Sequence, residues 1–425
     1  MLILRSFIVM FAVLLLTVPS FAQQRNPRAE IDAFVKPFVE KGHFFGVILA
    51  KKDGRVVYEK AFGYANADFS IPNRMSTRIG IASITKPMTV VILLRMIEAK
   101  KLAPEDKVSK FIPDFPNGDK ITVDHLARHR AGIPHRVMPP EMETISYTSD
   151  EVVDKIKAAK LDFEPGEKTL YSSGGFALLA RILEIASGKP YASLLEEYVF
   201  APAGMKDSID FPGEAIIERR AQDYLRDDRG PYNAPLKDYT FLIGAGSVFS
   251  TAGDVFKFGE AVANGTYGEE VRGTYLREGV VSSSGSTNGH RAYLKIDTNN
   301  KYGYVLLANM GTGAFDLISA AIDTILAGKI PDPPMVPSPK IEKWTEAKLA
   351  EFLGSYKRDG SGGGFEMKLR NGVMYADDIK LLPSIPDCFW DYKFYGDVCA
   401  ARDDAGKITH LTWASPGLTS KWVRQ

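Results

Sequence analysis

The chain has 425 residues, 45% hydrophobic and 25% charged, with 53 Lys and Arg against 52 Asp and Glu. These proportions are ordinary for a globular protein of two or three domains and exclude a disordered chain, a collagen and a multi-span membrane protein. Balanced charge offers no basic excess to grip a phosphate backbone, which argues against nucleic-acid binding, and two cysteines exclude a disulfide-dense miniprotein or a Cys-rich zinc module.

Met1–Ala22 has one charge, Arg5, an apolar run from Phe7 to Val18, a break at Pro19, and small residues at Ser20 and Ala22. This reads as a cleaved secretory signal peptide, since the run is short for a membrane span. No cysteine follows it to carry a lipid, so no stable membrane anchor is expected after cleavage. Export, to a bacterial periplasm in this reading, implies an oxidising compartment.

Apolar spacing predicts a helix over Glu30–Val39, and Gly46–Ala50 and Val56–Tyr58 flank Asp53-Gly54 as a hairpin. Pro87–Ala99 reads as a buried helix. Thr148 to Glu151 has capping-box spacing ahead of a helix running to about Leu161. Gly175–Ala186 predicts a helix stopped by Gly188 and Pro190, Tyr302–Met310 a strand, and Phe315–Leu326 a helix. Five prolines between Pro331 and Pro339 can continue neither helix nor central strand, so 331–340 reads as a stiff linker after a domain spanning 23–330. Beyond it, hairpin signals at Asn371-Gly372 and Asp403–Gly406 make 341–425 a small all-β domain, a barrel or a sandwich. Cys388 and Cys399 both lie there; in an exported protein a disulfide across neighbouring strands is expected, with free thiols or a metal site as alternatives. Phe389, Trp390, Tyr392, Phe394 and Tyr395 read as core or strand-pairing residues.

Three segments carry chemistry. Ser83 and Lys86 form S-x-x-K, and Pro87 is tolerated only in a first helical turn, so the pair shares one face at a helix start. There a desolvated lysine can shed its proton and activate the serine. Alone the motif is weak, and a capping serine followed by a surface lysine fits as well. Tyr171 and Ser173 sit at the mouth of the next helix, where a buried phenol beside a lysine can relay a proton. Ser283 to Leu294 is a Gly-rich turn between β-runs, with backbone N–H groups that could meet a substrate. Of the histidines, His125, His129 and His135 fit hydrogen bonding beneath the site floor better than a zinc site, His290 lies near the third segment, and Glu167 reads as structural.

In this order the three segments resemble the serine β-lactamase and penicillin-binding protein-like superfamily, in the branch of class C β-lactamases, D-alanyl-D-alanine carboxypeptidases, D-aminopeptidases and esterases. Phe45–Tyr64 resembles that family's opening hairpin, Ile121–Ile133 its T-x-x-x-L-L-x-H-x-S-G-L segment and Gly244–Asp254 its G-G-L-x-S-T-A-x-D stretch, so the likeness covers about 28–328. The all-β domain resembles the lipocalin-like domain appended to some members. The resemblance implies an α+β fold: an antiparallel sheet between helices, a helical subdomain and a small barrel.

It further implies an acyl-enzyme on Ser83 with Lys86 as base and Tyr171 as proton relay. The backbone N–H groups of Ser83 and Ser286 would form the oxyanion hole, and Ser173, Ser283, Ser284, Gly285 and Asn288 would contact substrate. No cofactor or metal is implied. The partner is a small-molecule or peptide substrate, and the oligomeric state is open. Ser283 departs from the family's Lys or His, which weakens the expectation of carboxylate recognition and tilts the substrate from β-lactams toward esters or small amides. Arg291 is a candidate replacement cation, though a strand residue there could equally face solvent. The rival outside this class is a catalytically idle sensor or binding protein that keeps the fold.

Overall fold

The computed structural model describes residues 25–287, 289–360 and 363–425. The segment read as a signal peptide and Asn288 lie outside the described residues.

Five antiparallel strands form the central sheet: β1 (Gly46–Lys52), β2 (Arg55–Phe62), β3 (Val280–Ser286), β4 (Arg291–Asp297) and β5 (Tyr302–Ala308), in the order β3-β4-β5-β1-β2. Strand β5 is buried at every position because the sheet is covered on both faces, so its sequence is almost continuously apolar rather than alternating. Alternate residues feed two cores. Tyr304 and Leu306 pack with helices α1 (Pro27–Glu40) and α6 (Ala314–Leu326). Val305 and Leu307 pack with α5 (Ala252–Ala263) and with a helical subdomain that includes α2 (Thr85–Glu98), α3 (Ser149–Ala158) and α4 (Ser173–Ser187). Helix α2 is apolar around most of its circumference and is buried accordingly.

The anticipated capping box opens α3: Thr148 accepts from the Glu151 N–H and Glu151 reaches back to Thr148. The helix stops at Ala158, earlier than the apolar pattern suggested, because Ala159 turns to extended backbone. Gly188, at φ +70°, ends α4 in the left-handed conformation that glycine adopts without strain. Residues 329–344 carry no helix or strand, and a short helix, Glu346–Ala350, precedes the barrel.

The C-terminal strands are β6 (Gly354–Arg358), β7 (Gly364–Arg370), β8 (Val373–Ala376), β9 (Ile379–Pro383), β10 (Cys388–Asp391), β11 (Gly396–Arg402), β12 (Ile408–Ser415) and β13 (Leu418–Arg424). Consecutive strands pair antiparallel and β13 closes on β6, giving an eight-stranded barrel rather than a sandwich. Its interior is filled by Tyr356, Met367, Leu381, Phe389, Leu411 and Trp413 among others, as expected of a barrel this small. Cys388 and Cys399 lie opposite each other on β10 and β11 and form a disulfide.

The barrel is docked on the larger domain. Tyr392 and Tyr395 join the core formed by α1, α6 and the sheet, with Trp390 packed against it. These three aromatics therefore belong to the interface between domains, while Phe389 lies in the barrel core and Phe394 packs against it. Lys380 pairs with Asp227 at 2.6 Å, and the Tyr395 hydroxyl meets His43 Nδ1 at 2.5 Å.

Candidate active site

Ser83 sits in a 3₁₀ turn, Ala82–Ile84, that runs directly into α2, so it lies just before the N-terminus of a buried helix. Ala82 adopts φ +48°, a left-handed conformation that costs a non-glycine residue about 1 kcal/mol or more. Strain of this kind beside a hydroxyl is common where a turn presents a reactive group. Lys86, in the first turn of α2, is buried; its Nζ lies 3.3 Å from Ser83 Oγ, 3.2 Å from Ser173 Oγ and 2.8 Å from the Ala245 carbonyl oxygen. It makes no ion pair among the described residues, so burial is uncompensated and pushes the ammonium down to about 7.

Tyr171 precedes Ser172, the N-cap of α4, whose hydroxyl accepts from the Gly175 N–H at 2.8 Å. This cap, not Ser173, starts the helix, which leaves Ser173 free to point at Lys86. Tyr171 donates its hydroxyl proton to Ser83 Oγ at 2.7 Å, and its ring lies 4.7 Å from Lys86 Nζ. Tyr171 is 44% exposed at the cleft mouth rather than the buried phenol the sequence suggested, but desolvation around its ring and hydroxyl still pushes the phenol upward, and the Ser83 hydrogen bond opposes this. The two groups that flank Ser83 are thus driven in opposite directions: the lysine toward a neutral amine, the tyrosine toward a retained proton.

Two histidines hold the Tyr171 segment. His129 Nδ1 accepts from the Ser172 N–H at 3.1 Å and His135 Nδ1 from the Ser173 N–H at 3.2 Å, and both rings pack on Tyr171. Burial, with Lys86 nearby, pushes each down to about 4, so both stay neutral acceptors. His125 instead completes a capping box with Thr122. Glu167 accepts from the Glu164 N–H at 3.2 Å and lies outside the cleft.

Strand β3 is an edge strand, and Gly285 brings it against the Ser83 turn. A Cβ at Gly285 would fall 2.1 Å from the Ile81 carbonyl oxygen and 2.9 Å from Ser83 N, so only glycine permits this approach. The backbones of Ser83 and of the Gly285–Ser286 edge therefore lie side by side, with Ser284, Gly285, Ser286 and Thr287 lining the cleft. Ser283 does not line it. Arg291 does, but its guanidinium is committed to Asp316 at 2.7 and 2.9 Å, accepted also by the Thr312 carbonyl at 3.3 Å and stacked on Phe315. It is neither the unmatched cation nor the solvent-facing residue that the sequence allowed. His290 is fully buried beside Asp223 at 2.5 Å, with Tyr239 bonded to the same carboxylate, and supports the strand from behind.

The cleft has a volume of about 900 Å³. Two loops wall the cleft, one contributing Val137, Met138 and Glu143 and the other Lys237, and Lys237 pairs with Glu143 at 2.5 Å. Lys393 and Phe394 of the barrel also line it. Sequence reasoning missed both, because no local pattern signals that a distant turn docks beside Ser83. Among the described residues, no group of His, Cys, Asp and Glu is arranged to hold a metal ion.

Known proteins resemble this chain over most of its length. A beta-lactamase family model matches residues 31–329. Penicillin-binding protein 4* of Bacillus subtilis is 27% identical over 413 residues, covering 85% of this chain and 91% of that protein. The D-alanyl-D-alanine-carboxypeptidase/endopeptidase AmpH of Escherichia coli is 31% identical over 229 residues, which span 50% of this chain and little more than half, 56%, of AmpH. The octameric penicillin-binding protein homologue from Pyrococcus abyssi superposes with a TM-score of 0.59 at 22% identity, over 93% of this chain and 99% of that one, so the likeness of fold extends through the barrel. The chain belongs to the beta-lactamase family of serine hydrolases.

Proposed function

We propose that this chain is an exported acyl hydrolase that works through an acyl-enzyme on Ser83, taking esters or small amides, D-amino-acid peptides included, ahead of β-lactams. The observation that carries the reading is the placement of Lys86: buried, without an ion pair among the described residues, within hydrogen-bonding distance of Ser83 and pushed down to about 7. A neutral amine there takes the Ser83 proton as Oγ bonds to the substrate carbonyl carbon. The developing oxyanion meets the backbone N–H groups of Ser83 and Ser286. Lys86 and Tyr171 pass the proton to the leaving group as its bond to carbon breaks. Water then attacks the acyl carbon and gives a proton to the same base; the bond from that carbon to Ser83 Oγ breaks, the acid is released, and Ser83 takes the proton that came from water.

The preference over β-lactams rests on Ser283, which leaves β3 with an uncharged hydroxyl; D-amino-acid peptides are included because one relative is named as a D-alanyl-D-alanine carboxypeptidase. Export is supported by the apolar segment Phe7–Val18 ahead of Pro19 and by the disulfide, which suits an oxidising compartment. Among the described residues no helix is long and apolar enough to cross a membrane.

The test is turnover of three substrate types by the purified protein and its Ser83→Ala variant: a short-chain aryl ester, a D-alanyl peptide and a penicillin. Ester or peptide hydrolysis that exceeds penicillin hydrolysis and vanishes in the variant is the expected result. Penicillin as the fastest substrate would overturn the preference. Turnover that persists in Ser83→Ala would overturn the mechanism.

A further inference from the structure

Strand β3 lacks a cation, yet the cleft does not. We propose that Lys393, carried in by the C-terminal barrel, binds a carboxylate on the substrate and so supplies from a second domain the charge that Ser283 does not. The inference rests on the acyl-hydrolase reading above.

Three observations carry it. First, Lys393 lines the same cleft as Ser83, Tyr171 and Ser284–Thr287. Second, its turn is held rigidly. The Asp391 carboxylate accepts from the N–H groups of Lys393 at 2.7 Å and Phe394 at 2.9 Å, and from Trp413 Nε1 at 3.0 Å. The Tyr392 carbonyl accepts from the Gly313 N–H at 3.1 Å, at the start of α6. A Cβ at Gly313 would lie 2.6 Å from the Tyr395 ring and 2.8 Å from Tyr395 N, so the barrel turn packs directly on the helix start. A cation fixed on docked backbone binds an anion without first being ordered.

Third, every other cation lining the cleft is already matched. Arg291 pairs with Asp316, Lys237 with Glu143, and Arg136 with the barrel's Asp378 at 3.6 Å. Lys393 alone of these makes no ion pair or side-chain hydrogen bond among the described residues. It is partly buried, and the nearby charges act on it in both senses: Asp378 and Asp391 favour its ammonium, Arg136 and Arg291 oppose it. Burial drives the ammonium below its ordinary value, and a bound carboxylate would relieve that by providing the partner the protein does not.

The experiment compares two thioesters of benzoylglycine that differ only in the leaving group, mercaptoacetate or its neutral amide, with wild type, Lys393→Met and Lys393→Arg. Loss of a charge-assisted contact predicts a fall in kcat/KM of about 10- to 100-fold on the anionic thioester for Lys393→Met. The neutral thioester should change less than about twofold, and Lys393→Arg should recover most of the loss. Equal falls on both thioesters would mean that the turn is merely structural, and no fall on either would mean that Lys393 touches no anion; each overturns the proposal. Binding of N-acetyl-D-alanine and of its amide, measured by calorimetry on Ser83→Ala with and without Lys393→Met, reads the same contact without turnover. A preference for the acid that Lys393→Met abolishes supports the proposal even if the hydrolase reading fails; equal affinity for acid and amide overturns it.

Discussion

Acylation of Ser83 requires Lys86 to be a free base. An ordinary lysine titrates at 10.5, so at pH 7 only about one in 3,000 is a free base. At about 7, half of the population is, a gain of about 1,500-fold in the form able to take the Ser83 proton. The rate of Ser83 labelling by a neutral fluorophosphonate, followed from pH 5 to pH 10, should therefore rise tenfold per pH unit and level off above about 7. The histidines that contact the site are not the source of such an inflection, since both are pushed down to about 4. Two buried carboxyls titrate close enough to compete, Asp210, raised to about 7 and bonded to Ser247, and Asp391, raised to about 6; Asp210→Asn and Asp391→Asn should each leave the inflection in place. Lys86→Met should lower the plateau by about 10²- to 10⁴-fold and remove the inflection. An inflection near 10, a flat profile, or a normal profile in Lys86→Met would refute the assignment of the base.

Other consequences are open to direct measurement. Because the native lysine releases its proton near 7 and the unfolded one near 10.5, the unfolded chain holds more protons between those values and stability rises with pH there. Wild type should gain about 3 kcal/mol over Lys86→Met between pH 7 and pH 9.5 in denaturant titrations, and parallel curves would contradict the buried, partnerless lysine. Gly285→Val should push β3 away from the Ser83 turn and cut fluorophosphonate labelling by about 100-fold or more while far-UV circular dichroism is kept, because the added Cβ has no room beside Ile81 and Ser83. Replacing Cys388 and Cys399 by alanine reopens a loop with a sequence separation of 11 and should lower barrel stability by about 3 kcal/mol in a denaturant titration, with labelling of Ser83 intact; an unchanged midpoint would show that the disulfide does not stabilise the native barrel.

What could be read from the chain without coordinates followed the range of the interaction. Ser83 and Lys86 are three residues apart, Tyr171 and Ser173 two, and each pair opens a helix whose start is marked locally by Pro87 or by the Ser172 cap. Local rules placed each pair at a helix start, and the resemblance to the serine β-lactamase and penicillin-binding protein-like superfamily singled them out. Strand β5 was predicted from its apolar run, and with only two cysteines the disulfide had one possible partner choice. Side-chain direction and docking were not visible. Whether Arg291 met the substrate, solvent or Asp316 depended on where α6 lay against β4, a contact 25 residues distant. Barrel or sandwich depended on whether β13 returned to β6. The five aromatic residues between 389 and 395 looked alike in sequence but are divided among the barrel core, the domain interface and the cleft, because a β-turn docked on another domain obeys no periodicity. Lys393 escaped notice for the same reason.

The central claim is that Ser83 is an activated nucleophile, and intact-mass spectrometry tests it most directly. Protein lacking residues 1–22 is mixed with a fluorophosphonate and its mass compared with that of Ser83→Ala treated identically. One phosphonyl adduct on the wild-type chain and none on the variant is the predicted result. An unmodified wild-type chain, or an adduct that survives Ser83→Ala, would contradict it.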